Sequence, residues 1–234
     1  MQPKTASFWT ELSEKYKGEL ARLGIRERYD QGHVFFLEGE VADTIYLILS
    51  GHVLLKKESL SGEELVIGWK TAGQLIGDIF LLNGNEPCNV TAVARTATEV
   101  LTFKRDDFEK VLDTHPEMSK FYQKWLMKEI QIYYTKIRDL CLYGKKGALF
   151  SILVRLANMY GTETDRGIRI DLRLTHGDLA RMIGGSRENV SRMLHQLMEE
   201  GVIAMEKKQM IILDLPYLKN YLRCGDCSAD LCVM

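Results

Sequence analysis

Two short helical patterns joined by a pair of glycines occupy residues 174–203, and they constrain the fold more than any other part of the sequence. Thr175, with an acidic partner at Asp178, is typical of a helix N-cap. The apolar face of the first helix is formed by Leu179, Met182 and Ile183. Gly184 and Gly185 then predict its end, and a helical pattern resumes at once. This succession predicts a helix-turn-helix.

The second helical pattern begins after Ser186, which can cap it. Its core-facing positions are Val190, Met193, Leu194, Leu197 and Met198. The opposite, exposed face carries Arg187, Glu188, Ser191, Arg192 and His195. Arginine pairs with guanine in the major groove, glutamate accepts from cytosine, and a helix N-terminus favours a nearby phosphate. We therefore expect double-stranded DNA to be contacted by Ser186, Arg187, Glu188, Ser191 and Arg192.

Two short strands follow, over residues 202–205 and 210–213, and predict a hairpin wing. Lys207 and Lys208 in its turn are placed to contact the DNA backbone. The alternative is a solvated helix face, on which Glu188 and Arg192 form an ion pair four residues apart. Two helices followed by a wing favour DNA binding, because that succession is more specific than one pair of charges.

The net charge of −1 does not by itself indicate a nucleic-acid partner. Between Gly144 and Arg223, however, 13 Lys and Arg stand against 9 Asp and Glu, a balance of +4 that leaves −5 for the rest. The positive charge therefore lies around the helix-turn-helix. Residues 1–24 contain charged side chains and no apolar run of signal length, and no later stretch approaches about 18 uncharged apolar residues. We expect a cytoplasmic protein without a membrane segment.

Short β-branched and aromatic runs alternate with glycine turns from His33 to about Phe103. The runs are His33–Leu37, Thr44–Leu49, His52–Lys56, Leu65–Trp69 and Val90–Phe103. This pattern predicts an antiparallel sandwich or roll.

After Asp106 the pattern becomes that of a long helix with an apolar seam. The seam residues, at alternating spacings of four and three, are Leu126, Ile130, Tyr133, Ile137 and Leu140. Such a seam favours pairing with the same helix of a second chain, and the alternative is a single helix packed on its own domain. A second helix over about Gly147–Met159, a polar loop over Gly161–Gly167 and a short strand over Ile168–Leu172 follow.

The sequence therefore predicts an α+β fold in four parts. They are a β-roll over residues 1–110, a dimerisation helix over 111–143, a winged helix-turn-helix over 144–223 and a cysteine-rich tail over 224–234. The boundary before the DNA-binding part is expected near Gly144.

Two runs of the sequence resemble the Crp/Fnr family of transcription regulators. LTHGDLARMIGGSRENVSRMLHQLMEEGVI, from Leu174, is similar to the family's DNA-binding signature, and IYLILSGHVLL, from Ile45, is similar to its cyclic-nucleotide-binding-like β-roll, a jelly roll. With the long helix, the resemblance spans nearly the whole chain. It implies a homodimer that contacts RNA polymerase, and bases of a TGTGA-type half-site read by Arg187, Glu188 and Arg192. Because the oxygen-sensing branch that reads TTGAT has valine at the first of these positions, Arg187 predicts a TGTGA-like palindrome.

Cyclic-nucleotide-binding members of the family carry a Gly-Glu pair and, about ten residues later, an arginine with a small hydroxyl residue, because the ribose needs an acceptor and the phosphate a cation. This chain has Gly77-Asp78, and then Glu86, Pro87, Cys88 and Asn89 in place of the arginine and hydroxyl residue. An acidic Glu86 would repel the phosphate. We therefore do not expect cyclic AMP to bind, and we expect the roll to be a scaffold and a surface for RNA polymerase.

Three of the five cysteines, Cys224, Cys227 and Cys232, lie in the last eleven residues. In a reducing compartment such a group is typical of a metal or redox site rather than of a disulfide framework. Iron-sulfur clusters and zinc both favour thiolates and usually take four protein ligands, so the tail is one ligand short. Spacing alone would favour Cys141 as the fourth. Zinc and an inert or redox-active tail remain alternatives to a cluster.

The tail also resembles that of the Bacillus-type Fnr subgroup. There a 4Fe-4S cluster lies at the C-terminus, and an aspartate at the end of the dimer helix completes its ligation. The common Fnr branch carries its cysteines in an N-terminal extension, whereas this chain has none before Cys88. The matching aspartate is Asp139, in IRDLCLYG. The resemblance implies an oxygen-responsive regulator with one 4Fe-4S cluster per subunit, held by Cys224, Cys227, Cys232 and Asp139.

No catalytic constellation accompanies these features. The five histidines are scattered, at His33, His52, His115, His176 and His195, and the sequence has no triad or phosphate loop. We therefore do not expect an enzyme. The second candidate function is a Crp-like regulator of the same fold, controlled by a small molecule in the β-roll.

Overall fold

The computed structural model of the chain describes residues 7–77, 87–207, 209–224 and 231–234. The chain divides into two compact units, one ending at Met127 and the other beginning at Lys128. Among the helices in the described ranges, none combines the length and the apolar character that crossing a membrane requires.

The first unit contains the β-roll that the alternating runs predict. Its strands in the described ranges are β1 (Ile25–Tyr29), β2 (Val34–Phe36), β3 (Thr44–Ser50), β4 (His52–Glu58), β5 (Glu64–Thr71), β6 (Leu75–Ile76), β7 (Thr91–Ala94) and β8 (Thr98–Lys104). They form two four-stranded sheets with the orders β1-β8-β3-β6 and β2-β7-β4-β5. One core cluster includes the buried side chains of Ile48, Val53 and Val100, which come from both sheets. Strand β7 buries alternate side chains, Ala92 and Ala94, whereas β4 buries four successive residues from His52.

Helices pack against one side of the roll. They are α1 (Phe8–Glu11), α2 (Glu14–Leu23), α3 (Arg105–Thr114) and the first part of α4 (Pro116–Tyr160). The core cluster that they share with the strands includes Phe8, Leu20, Ile45, Phe103 and Phe108, all of them buried. The sequence reasoning did not predict α1 and α2, because each is too short to show a sustained helical periodicity.

The long helix predicted after Asp106 is interrupted near its start. Helix α3 ends at Thr114, and α4 begins at Pro116. Between them His115 has φ −125° and ψ 90°, which is not helical. Proline disfavours a helical residue before it and is itself favoured at the first helical position, so Pro116 separates the two helices.

The second unit begins within α4, which is kinked at Gly144. Gly144 has φ 62° and ψ −162°, so the helical dihedral angles are interrupted there. Glycine reaches this region at low cost because it has no Cβ. The unit continues with β9 (Gly161–Thr164), β10 (Gly167–Ile170), α5 (His176–Ile183), α6 (Arg187–Glu199), β11 (Ile203–Glu206), β12 (Gln209–Ile212) and α7 (Leu215–Tyr221).

The last four strands form a sheet of order β11-β12-β10-β9. The predicted polar loop over Gly161–Gly167 is corrected: its first four residues are β9, an edge strand paired antiparallel with β10. Main-chain pairing holds this strand and does not depend on apolar side chains, so its polar sequence concealed it.

The helix-turn-helix forms as its capping residues predict. The Thr175 side chain accepts from the Asp178 backbone N–H, and the Asp178 side chain accepts from the Thr175 backbone N–H. Gly184 ends α5 in the left-handed conformation, at φ 59° and ψ 42°. The α+β fold with its β-roll, long helix and winged helix-turn-helix is confirmed, and the four domain bounds stay predictions.

Candidate DNA-binding surface and cysteine pocket

Helix α6 is held with one face inward. The Ser186 hydroxyl accepts from the Asn189 backbone N–H at 3.2 Å and caps the helix. Val190, Leu194 and Leu197 are buried. Met193 and Met198 are half-buried, so all five predicted core positions lie on the inner side of the helix.

The opposite face of α6 is exposed to solvent. Its exposed residues are Ser186, Arg187, Glu188, Ser191, Arg192 and His195. The guanidinium of Arg192 donates to the side-chain oxygen of Asn189 rather than pairing with Glu188. The ion pair of the alternative interpretation is therefore replaced by a contact with the residue that follows Glu188. Arg187 and Glu188 are presented at the first turn, where a major groove would meet them.

The wing follows α6 as the strands β11 and β12, which pair antiparallel. In the turn Lys207 is exposed and has φ 48°. Lys208, the second predicted backbone contact, lies outside the described residues. An ion pair between Arg166 and Glu206 joins the β9–β10 turn to the wing. The exposed Lys207 side chain, in the turn of the wing, is available to contact a DNA phosphate.

The part of α4 before Gly144 exposes an apolar stripe. Ile130 is 41% exposed, Ile137 57% and Leu140 40%, which is high for side chains of this kind. Tyr134, which the seam pattern did not include, is 67% exposed. The other two seam positions, Leu126 and Tyr133, are half-buried. The stripe suits packing against another helix.

A pocket in the second unit brings the two ends of the predicted metal site together. Its lining residues are Thr135, Arg138, Asp139, Ser151, Val154, Arg155, Leu222, Cys224, Leu231 and Cys232. Asp139 comes from α4 before the kink, and the two cysteines come from the C-terminal segment. The sequence separates these groups by more than eighty residues, and the fold places them around one space.

Asp139 is buried, with 3% of its side chain exposed, and its carboxylate accepts several hydrogen bonds. The Arg138 guanidinium donates to Oδ1 at 2.9 and 2.6 Å. The Ser151 hydroxyl donates to Oδ2 at 2.6 Å. Arg155 lies 3.7 Å from the same Oδ2. These contacts fix the orientation of the Asp139 carboxylate. They also compensate its negative charge, which burial has removed from water.

Arg155 is the buried cation of this pocket, with 2% of its side chain exposed. Burial lowers the pKa of its guanidinium from the usual value, while Cys232, Asp139 and Cys224 act in the opposite direction. The sequence reasoning missed Arg155, Ser151 and Arg138. One signal was present, because Arg155 is the sole charge in the run LFSILVRLANMY.

The other cysteines have different surroundings. Cys141, the alternative fourth ligand, is exposed and does not line the pocket. Cys227 lies outside the described residues. Within the described ranges, no three His, Cys, Asp or Glu side chains are close enough together to hold a metal ion. The pocket therefore gathers two thiols and a carboxylate without closing them into a coordination sphere.

Cys88 stands in the β-roll where the sequence comparison would require the phosphate-binding arginine of a cyclic-nucleotide site. Cys88 is buried, its N–H donates to the Glu40 carbonyl at 2.7 Å, and its carbonyl accepts from the Gly39 N–H at 2.7 Å. Burial raises the pKa of the Cys88 thiol. Asp78 and Glu86 lie outside the described residues.

Two family models match the chain. Residues 26–115 match the cyclic nucleotide-binding domain, and residues 148–221 match the Crp-like helix-turn-helix domain. The chain is 33% identical over 214 residues to the "Anaerobic regulatory protein" of Bacillus subtilis. The aligned region covers 91% of this chain and 90% of that protein. The chain belongs to the Crp/Fnr family of transcription regulators.

A second relative and a solved structure are less similar in sequence to this chain. The chain is 28% identical over 188 residues to a "CRP-like cAMP-activated global transcriptional regulator" of Mycobacterium tuberculosis, covering 80% of this chain and 83% of that protein. A CooA mutant from Carboxydothermus hydrogenoformans has a similar structure, with a TM-score of 0.78 over 95% of this chain and 98% of that chain. At 21% identity that similarity shows the fold alone. Crp/Fnr proteins bind DNA, act as dimers and regulate transcription rather than catalyse reactions.

The Ser151 hydroxyl makes a testable contribution to the pocket. It donates to Asp139 and accepts from Arg155 Nε at 3.1 Å, so Ser151→Ala leaves two buried charged groups each one partner short. We expect the free energy of unfolding to fall by about 1–3 kcal/mol, measured by urea denaturation of the metal-free protein. The exposed Ser191→Ala serves as control and should change it by less than about 0.5 kcal/mol. Equal stability of Ser151→Ala and the wild type would contradict the described network.

Proposed function

We propose that this chain is an oxygen-responsive, anaerobic transcription regulator that binds a TGTGA-like palindrome in double-stranded DNA as a homodimer. Its DNA binding is controlled by one oxygen-labile 4Fe-4S cluster per subunit, held by Cys224, Cys227, Cys232 and Asp139. The observation that carries the proposal is the shared pocket of Asp139, Cys224 and Cys232. RNA polymerase is the expected protein partner.

The donor set suits a cluster in kind. Thiolates are the usual ligands of iron-sulfur clusters, and the pocket provides two of them beside a carboxylate whose orientation Ser151 and Arg138 fix. A carboxylate binds iron less strongly than sulfur does, which suits a site that must respond to oxygen. When bound, the cluster supplies an oxygen-sensitive link between the tail and α4.

Asp139 is a better candidate for the fourth ligand than Cys141. Asp139 is buried and lines the pocket, whereas Cys141 is exposed and lies outside it. The similarity to the Bacillus subtilis "Anaerobic regulatory protein" supports the oxygen response, because that relative matches along nearly the whole chain.

The chain's own residues supply the route from the pocket to DNA. Asp139 lies before the kink at Gly144. The cysteines follow α7, which itself comes after α6, the proposed recognition helix. A link between them joins the end of the dimerisation helix to the end of the DNA-binding part. A dimer must place its two recognition helices about one helical turn of DNA apart, so a change in this link changes the spacing. The dimer itself is held by the apolar stripe and persists.

A second candidate function is a Crp-like regulator of the same fold with a small-molecule effector in the β-roll and a zinc-binding or inert tail. The match to the cyclic nucleotide-binding domain favours it, as does the similarity to the Mycobacterium tuberculosis "cAMP-activated" relative. The buried, main-chain-paired Cys88 at the place of the phosphate-binding arginine disfavours a cyclic nucleotide. Under this candidate an added effector, and not the removal of oxygen, would raise DNA binding.

Arg187 tests the DNA sequence that is read. We expect Arg187→Ala to weaken binding to a TGTGA-containing duplex by about 1–3 kcal/mol, or about 5- to 150-fold, and to relax the preference for guanine. Lys207→Ala is the contrast, because a phosphate contact should weaken binding to all sequences alike and lower the salt dependence by about one ion. Anaerobic fluorescence anisotropy with the palindrome and a guanine-substituted duplex measures both. A uniform loss in Arg187→Ala would contradict the assignment.

Asp139 tests the oxygen control. We expect wild-type protein to lose most of its affinity for the palindrome in air, and Asp139→Ala to bind weakly with and without oxygen, while size-exclusion chromatography shows dimers throughout. The matched control is Cys141→Ser, two residues along the same helix, which should keep the wild-type oxygen response because its side chain lies outside the pocket. An Asp139→Ala protein that kept both its cluster and its oxygen response would refute the proposal.

A further inference from the structure

Arg155 is placed where a positive charge is costly. Its side chain is 2% exposed, on the part of α4 that follows the kink at Gly144. A buried guanidinium persists only where its N–H groups find acceptors and a counter-charge. The identity of those acceptors therefore shows what the residue does.

The acceptors come from three separate segments. Thr135 Oγ1 accepts from Nη2 at 2.7 Å, on the part of α4 before the kink. Ser151 Oγ accepts from Nε at 3.1 Å, one turn from Arg155 itself. The carbonyls of Leu231 and Val233, in the C-terminal segment, accept from Nη1 at 3.2 and 2.5 Å. One planar group thus joins both halves of the kinked helix to the end of the chain.

The two tail carbonyls lie on either side of Cys232. The Cys232 carbonyl itself accepts from the Asn158 side-chain amide at 3.0 Å, so three successive tail residues are held by one face of α4. Val233 and Met234 are buried, and the Met234 N–H points to Met159 Sδ at 3.1 Å. The last residues of the chain are therefore docked on α4.

We propose that Arg155 is the positioning residue that docks the C-terminal segment on α4 and thereby places the Cys232 thiol in the pocket with Asp139 before any metal binds. Its importance for oxygen sensing rests on the proposed function, but the docking does not. Arg155 suits this task because its Nη1 donates to Leu231 and Val233 while Nε and Nη2 stay hydrogen-bonded to α4, and its charge faces Asp139. Lysine keeps the charge and lacks the fork.

The test is the alkylation rate of Cys232 in reduced, metal-free, full-length protein treated with iodoacetamide, followed by mass spectrometry of the modified peptides. A docked segment reacts through local opening, so the rate reports its stability. We expect Arg155→Gln to raise the Cys232 rate about tenfold and Arg155→Lys to raise it less, but by more than about twofold, since charge-assisted hydrogen bonds are lost in both. The matched control is Arg173→Gln, at an exposed arginine of the same unit, with the wild-type rate expected.

Two other cysteines serve as internal references. Exposed Cys141 should react at the same rate in every variant, and buried Cys88 should stay protected. Circular dichroism establishes that each variant is folded, and Arg155→Lys carries the test if Arg155→Gln is not. A Cys232 rate within about twofold of wild type in either folded variant would overturn the proposal.

Iron analysis separates this inference from the proposed function. A wild-type protein that binds no iron would refute the cluster and leave the alkylation result standing. Conversely, a protein with its cluster and an unchanged Cys232 rate in Arg155→Lys would keep the proposed function and refute the role of Arg155.

Discussion

The buried pair of Arg155 and Asp139 is the constraint around which the second unit is organised. Each charge would be costly alone, and the pair is tolerated because both side chains also have hydrogen-bond partners. Those partners come from helix α4 on both sides of Gly144 and from the C-terminal segment. The hydrogen bonds that these two charged side chains require therefore hold three segments of the chain together.

In the proposed function, the same arrangement provides a route from the short tail to the DNA-binding surface. Asp139 lies at the end of the helix that carries the apolar stripe, and the cysteine segment follows directly after α7. Helix α6 exposes Arg187 and Glu188. Its position is fixed by the helix caps, by Gly184 at the end of α5, and by its buried leucines. In the proposed function, a ligand set shared by Asp139 and the tail adds an oxygen-dependent restraint to a connection that Arg155 already makes.

The parts of the molecule predicted from sequence are those whose cause is local. The capping box at Thr175, the left-handed Gly184 and the apolar spacing in α6 identify the helix-turn-helix without any partner. The roll is predicted by short β-branched and aromatic runs between glycine turns, as in β3 and β4 on either side of Gly51. The edge strand β9 was missed because main-chain pairing defines it, and the break before Pro116 was missed because the apolar pattern continues across it.

The pocket was only half predictable for the same reason. Cysteine spacing and a family resemblance located the thiols and Asp139, but no spacing relates Arg155 to Val233, which lie 78 residues apart. A lone arginine in an apolar helix indicates that its N–H groups must have hydrogen-bond acceptors. Only the folded structure identifies those acceptors.

Metal and sulfide analysis of anaerobically purified wild-type protein is the most direct test of the central claim, with a variant carrying serine at all three tail cysteines as control. The account predicts a brown wild-type protein with about four iron and four acid-labile sulfide per chain, and a colourless control. A colourless wild-type protein containing about one zinc per chain, or no metal, would contradict it.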